Sequence, residues 1–201
     1  MSDFTIVDLL RHGEPEGGQM FRGALDDPLS PQGWEQMRTA VGDYRGWDAI
    51  ISSPLIRCAA FARELAERLD RPLEIARGFS ELSFGVWEGR SVAEVHNADP
   101  LALGRFWRDP VAYPIPNGEP VASFDRRIGE AWDALLEHHR GRHVLLVANG
   151  GTIRMVLRRL LDMPLNRIWR IEVPFASLSR IRLHRDPEAE PHLAFHNGRL
   201  A

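Results

Sequence analysis

Apolar positions along this chain follow two rhythms. Residues 4–10 (FTIVDLL), 48–52 (DAIIS) and 143–148 (HVLLVA) are short, nearly continuous apolar runs with the length and β-branched content of buried strands. Longer stretches between them carry helical spacing. In 121–139, Phe124, Ile128, Ala131, Trp132 and Leu135 share one face. Strands that are apolar throughout, alternating with helices, predict an α/β three-layer sandwich: a mostly parallel central sheet with helices on both faces.

Helix starts are legible as well. Ser30-Pro31 and Ser53-Pro54 each read as a cap followed by a proline in the first helical position, opening helices over 32–44 and 55–69. Residues 152–161 read as the helix that follows the third strand. Residues 177–182 (SLSRIR) alternate as a strand should, and 192–196 form a weaker run. Between 78 and 120 the pattern breaks into Gly, Pro and aromatics, with short helical pieces near Val92 and Leu103. Such an insertion is expected to form a lid over a site. Without repeats, low-complexity tracts or linkers, residues 1–201 read as one domain carrying that insertion.

Composition narrows the chemistry. A net charge of -3 over 201 residues predicts neither a nucleic-acid nor a membrane-surface footprint. All 25 basic residues are Arg, so mechanisms built on a lysine Schiff base or a P-loop lysine are excluded. Cations, where needed, come as planar guanidinium forks. Cys58 is the single cysteine, which rules out an intramolecular disulfide and a thiolate zinc cage. Its apolar neighbours make it a small core residue. Met1-Ser2-Asp3-Phe4 lacks the layout of a signal peptide, and no apolar run reaches membrane-spanning length. The expected compartment is the cytoplasm.

Each of the three strands runs directly into a polar or glycine-containing segment. Arg11-His12-Gly13-Glu14 follows the first, Ser53-Pro54-Leu55-Ile56-Arg57 the second, and Asn149-Gly150-Gly151-Thr152 the third. Ligand sites in open α/β sheets form beyond the carboxyl ends of the strands, so parallel neighbours would bring these segments into one crevice. Their chemistry favours an anion. Arg57 falls in a first helical turn, where the dipole disfavours a cation unless an anion is nearby. Asn149 and Gly150 stand at another helix start, where backbone N–H groups point outward and glycine permits close approach. Arg11 adds a second fork, and this donor set suits a phosphate. His12 sits among them as a neutral imidazole nucleophile, kept unprotonated by neighbouring cations and fixed in tautomer by a backbone hydrogen bond.

Arg11-His12-Gly13, Ser52-Ser53-Pro54-Leu55-Ile56-Arg57, the segment from Glu81 to Gly89 (ELSFGVWEG) and the stretch around Gly150-Gly151 occur in this order across the chain. Together they resemble the histidine phosphatase (phosphoglycerate mutase-like) superfamily. The resemblance implies a phosphohistidine mechanism without metal or cofactor. His12 would attack phosphorus, Arg11 and Arg57 would bind the phosphoryl oxygens with Asn149 and Gly150, and Glu81 would serve as acid and then base. The apolar neighbours Phe79, Phe84 and Trp87 are of the kind that raise a carboxyl pKa. Glu88 is the competing carboxylate and reads as structural, and His184, His192 and His196 read as solvated strand histidines.

The family normally carries a second histidine where this chain has Asn149. Asparagine keeps an N–H donor but never a charge, so Asn149→His is expected to raise turnover. At Gly18 many relatives have an asparagine, and Arg22 is the candidate substitute donor. The opening Leu10-Arg11-His12-Gly13-Glu14-Pro15, with Phe21-Arg22-Gly23 and Asp26-Asp27-Pro28-Leu29-Ser30, is similar to alpha-ribazole phosphatases. Trp87, Phe106, Trp107 and Tyr113 are then candidates for an aromatic wall. A small phosphorylated metabolite is the implied partner. A phosphoglycerate-type mutase and a weakened phosphate-ligand binder remain as alternatives.

Overall fold

The computed structural model describes residues 3–186 and 188–200. Its centre is a six-stranded sheet. In chain order the strands are β1 (Phe4–Arg11), β2 (Ala49–Ser52), β3 (Leu73–Ile75), β4 (His143–Ala148), β5 (Leu178–His184) and β6 (His192–Gly198), arranged 3-2-4-1-5-6. Strands β3, β2, β4 and β1 run parallel, and β5 and β6 add an antiparallel edge.

The apolar runs explain the layering. Along β4, Val144, Leu146 and Ala148 enter one core, and Leu145 and Val147 enter the other. Strand β1 splits in the same way, with Val7 and Leu9 on one face and Leu10 opposite. Successive side chains point to opposite sides of a strand, so a continuous apolar run serves two cores at once. Helices α1 (Pro31–Val41) and α2 (Ile56–Leu69) cover one face through Met37, Val41, Phe61 and Leu65. The other face is covered by four helices: α3 (Val92–Ala98), α4 (Pro100–Arg108), α5 (Val121–His138) and α6 (Gly150–Leu160). The three-layer α/β reading of the sequence therefore stands.

Helix starts divide. Ser30 caps α1 as expected, accepting the Gly33 N–H at 3.0 Å with Pro31 in the first helical position. Ser53-Pro54 does not cap α2. That helix begins at Ile56 after an extended Leu55, without a side-chain cap. The Ser53 hydroxyl instead accepts from the Asn149 side chain at 3.0 Å. Its local contact is a longer one, from the Leu55 N–H at 3.4 Å, ahead of the helix. Strand β3 escaped the sequence pattern because its three residues (LEI) are half-buried or exposed, leaving no periodic signal.

Candidate active site

Strand register assembles the site. Arg11 pairs with Ala148 and Ser52 with Val147, so β1, β4 and β2 end level with one another. The ladder continues one residue further, with His12 N–H donating to the Ala148 carbonyl (3.0 Å) and Ser53 N–H to that of Val147 (2.9 Å). His12, Asn149 and Ser53 are thereby brought side by side. Gly13 is obligatory at the next position: a β-carbon there would lie 2.1 Å from the Gly33 carbonyl oxygen of α1.

His12 is buried. Its Nδ1 lies 2.7 Å from the Gly13 carbonyl oxygen. A carbonyl only accepts, so Nδ1 carries the proton and Nε2 keeps its lone pair. Burial first, then the charges of Arg11 and Arg57, hold the ring pKa well below the usual imidazole range. The ring is neutral and tautomerically fixed, as a nucleophile at phosphorus requires.

A cleft of about 770 Å³ opens over this point. Arg11, His12, Glu81, Gly150, Gly151 and Arg154 line its charged end. Arg11 Nη1 donates to the Val173 carbonyl at 2.5 Å, its Nε is buried without a partner, and its guanidinium carbon lies 4.1 Å from the centroid of Phe175. Burial, followed by repulsion from Arg154, lowers the Arg11 pKa to about 10. Even so, the group is charged at neutral pH.

Glu81 is held from both ends. Its Oε2 accepts the Gly151 N–H at 2.8 Å, and its Oε1 accepts the Leu82 N–H at 2.9 Å. The first contact puts a carboxylate against the N-terminus of α6, where the helix dipole favours it. It also requires glycine: a β-carbon on Gly151 would lie 2.3 Å from Glu81 Oε1. Behind it, Arg127 of α5 donates to the carbonyls of Gly78 (2.9 Å), Ser80 (3.0 Å) and Glu81 (3.4 Å) while pairing with Glu119.

Other expected residues stand differently. Arg57 is buried behind the cleft wall. It donates to Asn149 Oδ1 (3.0 Å) and to the carbonyls of Leu25 (2.7 Å), Arg22 (3.0 Å) and Gly23 (3.2 Å). These oxygens explain a cation in the first turn of α2 without a bound anion. Asn149 is also fully buried, its carbonyl held by Arg57 and its amide by Ser53. Arg22 does line the cleft, with its nitrogens on Asp27 (2.7 Å), the Gly18 carbonyl (2.5 Å) and the Glu16 carbonyl.

Of the aromatic wall, Trp107 is at the cleft, joined by Phe21, Phe84 and Trp169, whereas Trp87, Phe106 and Tyr113 do not line it. Trp87, 5% exposed, packs instead on Phe21 and Phe106 at centroid distances of 5.3 and 5.2 Å. A residue that completes the insertion's own small core is not free to meet a ligand. Glu88 acts as a clasp: Oε1 accepts from Ala24, Ser83 and Phe84, and Oε2 from Leu25. It ties the loop that surrounds Arg57 to the insertion.

Cys58 is inert, since burial pushes its thiol up to about 12. On the edge strands, His196 donates to the Glu172 carbonyl (2.6 Å) and accepts from Ser179 (2.8 Å). Among the described residues no group of three or more His, Cys, Asp and Glu is placed to hold a metal, and no helix is long and apolar enough to cross a membrane.

Sequence reasoning passed over Arg154, Trp169 and Phe175. Arg154 was within reach: it lies four residues after Gly150, one turn further along the same helix face. Phe175 and Trp169 come from the segment between α6 and β5 and carried no periodic signal.

Known proteins show the same arrangement of sequence and fold. Residues 7–193 match the family model of the histidine phosphatase superfamily (branch 1). The bifunctional protein Rv2228c of Mycobacterium tuberculosis is 32% identical over 201 residues, covering 98% of this chain and 55% of that protein. This chain thus spans little more than half the length of that relative. The adenosylcobalamin/alpha-ribazole phosphatase of Escherichia coli is 26% identical over 182 residues, covering 88% of this chain and 89% of the relative. A solved mycobacterial glucosyl-3-phosphoglycerate phosphatase superposes with a TM-score of 0.83 at 26% identity, over 98% of this chain and all of that one.

Proposed function

The chain belongs to the histidine phosphatase superfamily (branch 1), and on that footing we propose that it is a phosphomonoesterase working through a phosphohistidine. One observation carries the reading: a neutral His12, protonated on Nδ1, lines the same cleft end as an Arg11 with an unpartnered donor and the Glu81 carboxyl. His12 Nε2 attacks phosphorus, and the bond to the leaving oxygen breaks as Glu81, in its acid form, protonates that oxygen. The Glu81 carboxylate then takes a proton from water. The resulting hydroxide attacks phosphorus, the P–N bond breaks with its electron pair returning to Nε2, and phosphate leaves. Arg11 and the N-terminus of α6 at Gly150 stabilise the charge on the equatorial oxygens. Arg57, held behind them, contributes its positive field and fixes the loop of residues 22–25.

The leaving group is argued from the rest of the cleft. Beyond the charged end Met20, Phe21, Phe84, Val92, Trp107 and Trp169 line the cleft, with Gln19, Arg22 and Glu172 as its polar members. Such a surface favours an apolar or aromatic alcohol over a short hydroxy acid, whose carboxylate needs a cation. The distal cation, Arg22, has its nitrogens committed. This supports alpha-ribazole 5′-phosphate or a similar nucleoside-like ester and counts against a phosphoglycerate-type mutase.

The test is a panel of phosphomonoesters containing alpha-ribazole phosphate, phenyl phosphate, phosphoserine and 3-phosphoglycerate, with acid-quench trapping of labelled phosphoenzyme. Aromatic esters should be cleaved fastest, and His12→Ala should abolish labelling. Labelling that survives in His12→Ala, or preference for 3-phosphoglycerate with transfer to an isomer, removes the reading. A weakened binder is favoured by one feature, the uncharged Asn149 with both ends of its amide engaged. Asn149→His should then raise turnover, and an unchanged or lower rate counts against that weakness.

A further inference from the structure

Four guanidinium groups line the cleft or stand behind its wall near His12, and they are not equally free. Arg22 and Arg57 spend their nitrogens on carbonyl oxygens, Asp27 and Asn149. Asn149 gives its amide to Ser53. A phosphoryl group arriving at His12 therefore finds every guanidinium nitrogen of Arg22 and Arg57, and the Asn149 amide nitrogen, already holding a protein oxygen. Arg11 and Arg154 are different. Arg11 uses only Nη1, on Val173, and has a buried, unpartnered Nε. Arg154 uses only Nε, on the Ile171 carbonyl at 2.8 Å, among the described residues.

These two free forks converge. A methyl group built on Gly150 would lie 3.1 Å from Arg154 Nη1 and 3.3 Å from Arg11 Nε, so both guanidinium groups reach over the first residue of α6. Gly150 and both arginines line the cleft end that contains His12. Burial weakens the hold of Arg154 on its proton, and Glu81 and Glu172 oppose that effect. Two like charges with spare donors, partly desolvated at a helix N-terminus, form a site whose electrostatics improve when a dianion enters between them.

We propose that Arg154 is a direct ligand of the phosphoryl oxygens, forming with Arg11 a two-fork clamp across Gly150. The proposal rests on the phosphatase reading for its location. It adds Arg154 to the donors expected from Arg11, Arg57 and Asn149. Arg154 is suited to the task because α6 is anchored to β4 at Asn149, and the Nε–Ile171 bond and the Trp169 ring, 5.5 Å from the guanidinium carbon, hold the fork in place.

The experiment measures inorganic phosphate binding by calorimetry and phenyl phosphate turnover in the wild type, Arg154→Gln and Arg154→Lys. Phosphate binding needs no chemistry, so it reports the clamp alone. Arg154→Gln should weaken phosphate binding at least about 10-fold and lower kcat/KM by about 10²-fold. Arg154→Lys, which keeps the charge but not the fork, should recover a measurable part of both. Phosphate affinity within twofold of wild type in Arg154→Gln overturns the proposal. So does a loss that Lys leaves wholly unrepaired while the melting temperature falls, because Arg154 then acts through Ile171. If the wild type forms no labelled phosphoenzyme, yet phosphate binding still depends on Arg154, the clamp stands and the reaction assigned to it fails.

Discussion

Strand β1 carries two buried polar regions, and they are built on opposite rules. At Asp8, in mid-strand, every polar contact is closed. Its Oδ1 accepts from Arg180 Nε at 2.7 Å, and its Oδ2 accepts from Arg180 Nη2 (2.9 Å), His143 Nε2 (2.9 Å) and Trp47 Nε1 (2.8 Å). Burial works to raise the Asp8 pKa, but the hydrogen bonds from Arg180 and His143 outweigh it and hold the carboxyl below its usual range. Three residues on, Arg11 keeps a buried Nε without a partner, and His12 is held neutral by burial and neighbouring arginines. The contrast teaches how to tell structure from function among buried charges. A closed network is finished and stabilises one fold, whereas open donors beside a cleft are waiting for a guest.

Substitutions on the two sides should separate stability from activity. The largest effect belongs to the open side: His12→Ala should lower phosphatase turnover by at least about 10⁴-fold, since removing a nucleophile leaves only binding and electrostatic assistance. Its urea midpoint should not fall in proportion. A steady-state assay beside a urea melt checks both, and loss of activity through unfolding would erase the contrast. On the closed side, Asp8→Ala strands the Arg180 charge in a largely buried place and should cost about 3–5 kcal/mol. The folded fraction should keep nearly normal turnover. A variant that melts normally would show that the cluster does not hold the sheet.

Glu88→Gln tests the clasp between the two regions of loop. One oxygen of the carboxylate becomes an amide, so at least one backbone N–H loses its acceptor, at about 1–3 kcal/mol. Hydrogen exchange should quicken at Ala24, Leu25 and Phe84, and unchanged protection there would deny the clasp. The smallest effect is spectroscopic. With the folded pKa depressed, His12 stays neutral as pH falls through about 6.5, where an unfolded histidine takes up its proton. Its stabilising contribution is thus present above that value and is lost as pH falls through the lower folded pKa. The His12 ring resonance should not titrate between pH 8 and 6 in the free protein. A midpoint near 6.5 would mean the imidazole is not desolvated.

The candidate site was legible only in part, for reasons that lie in particular residues. His12, Arg11 and Gly150 were readable because each follows a strong apolar strand, and strand ends in parallel sheets collect ligands. Glu81 had no such local mark, since its place depends on Gly151 across 70 positions of chain. Arg57 and Asn149 were correctly placed near one another, but which way their donors turn was hidden. The carbonyls of Arg22, Gly23 and Leu25 that satisfy Arg57 come from an irregular loop with no periodicity to read. Trp87 illustrates the same limit: an aromatic in an insertion serves equally well as a wall or as a core.

Hydrophobic spacing alone determined the central strands, their parallel arrangement and the helices on both faces, though not the short edge strand β3, because burying apolar side chains is a local, periodic demand that each buried segment states for itself. The tertiary structure decided which donors stay open. A guanidinium or an amide satisfies whichever oxygen comes within reach, and that oxygen is set by how distant loops pack, a fact that no single segment contains.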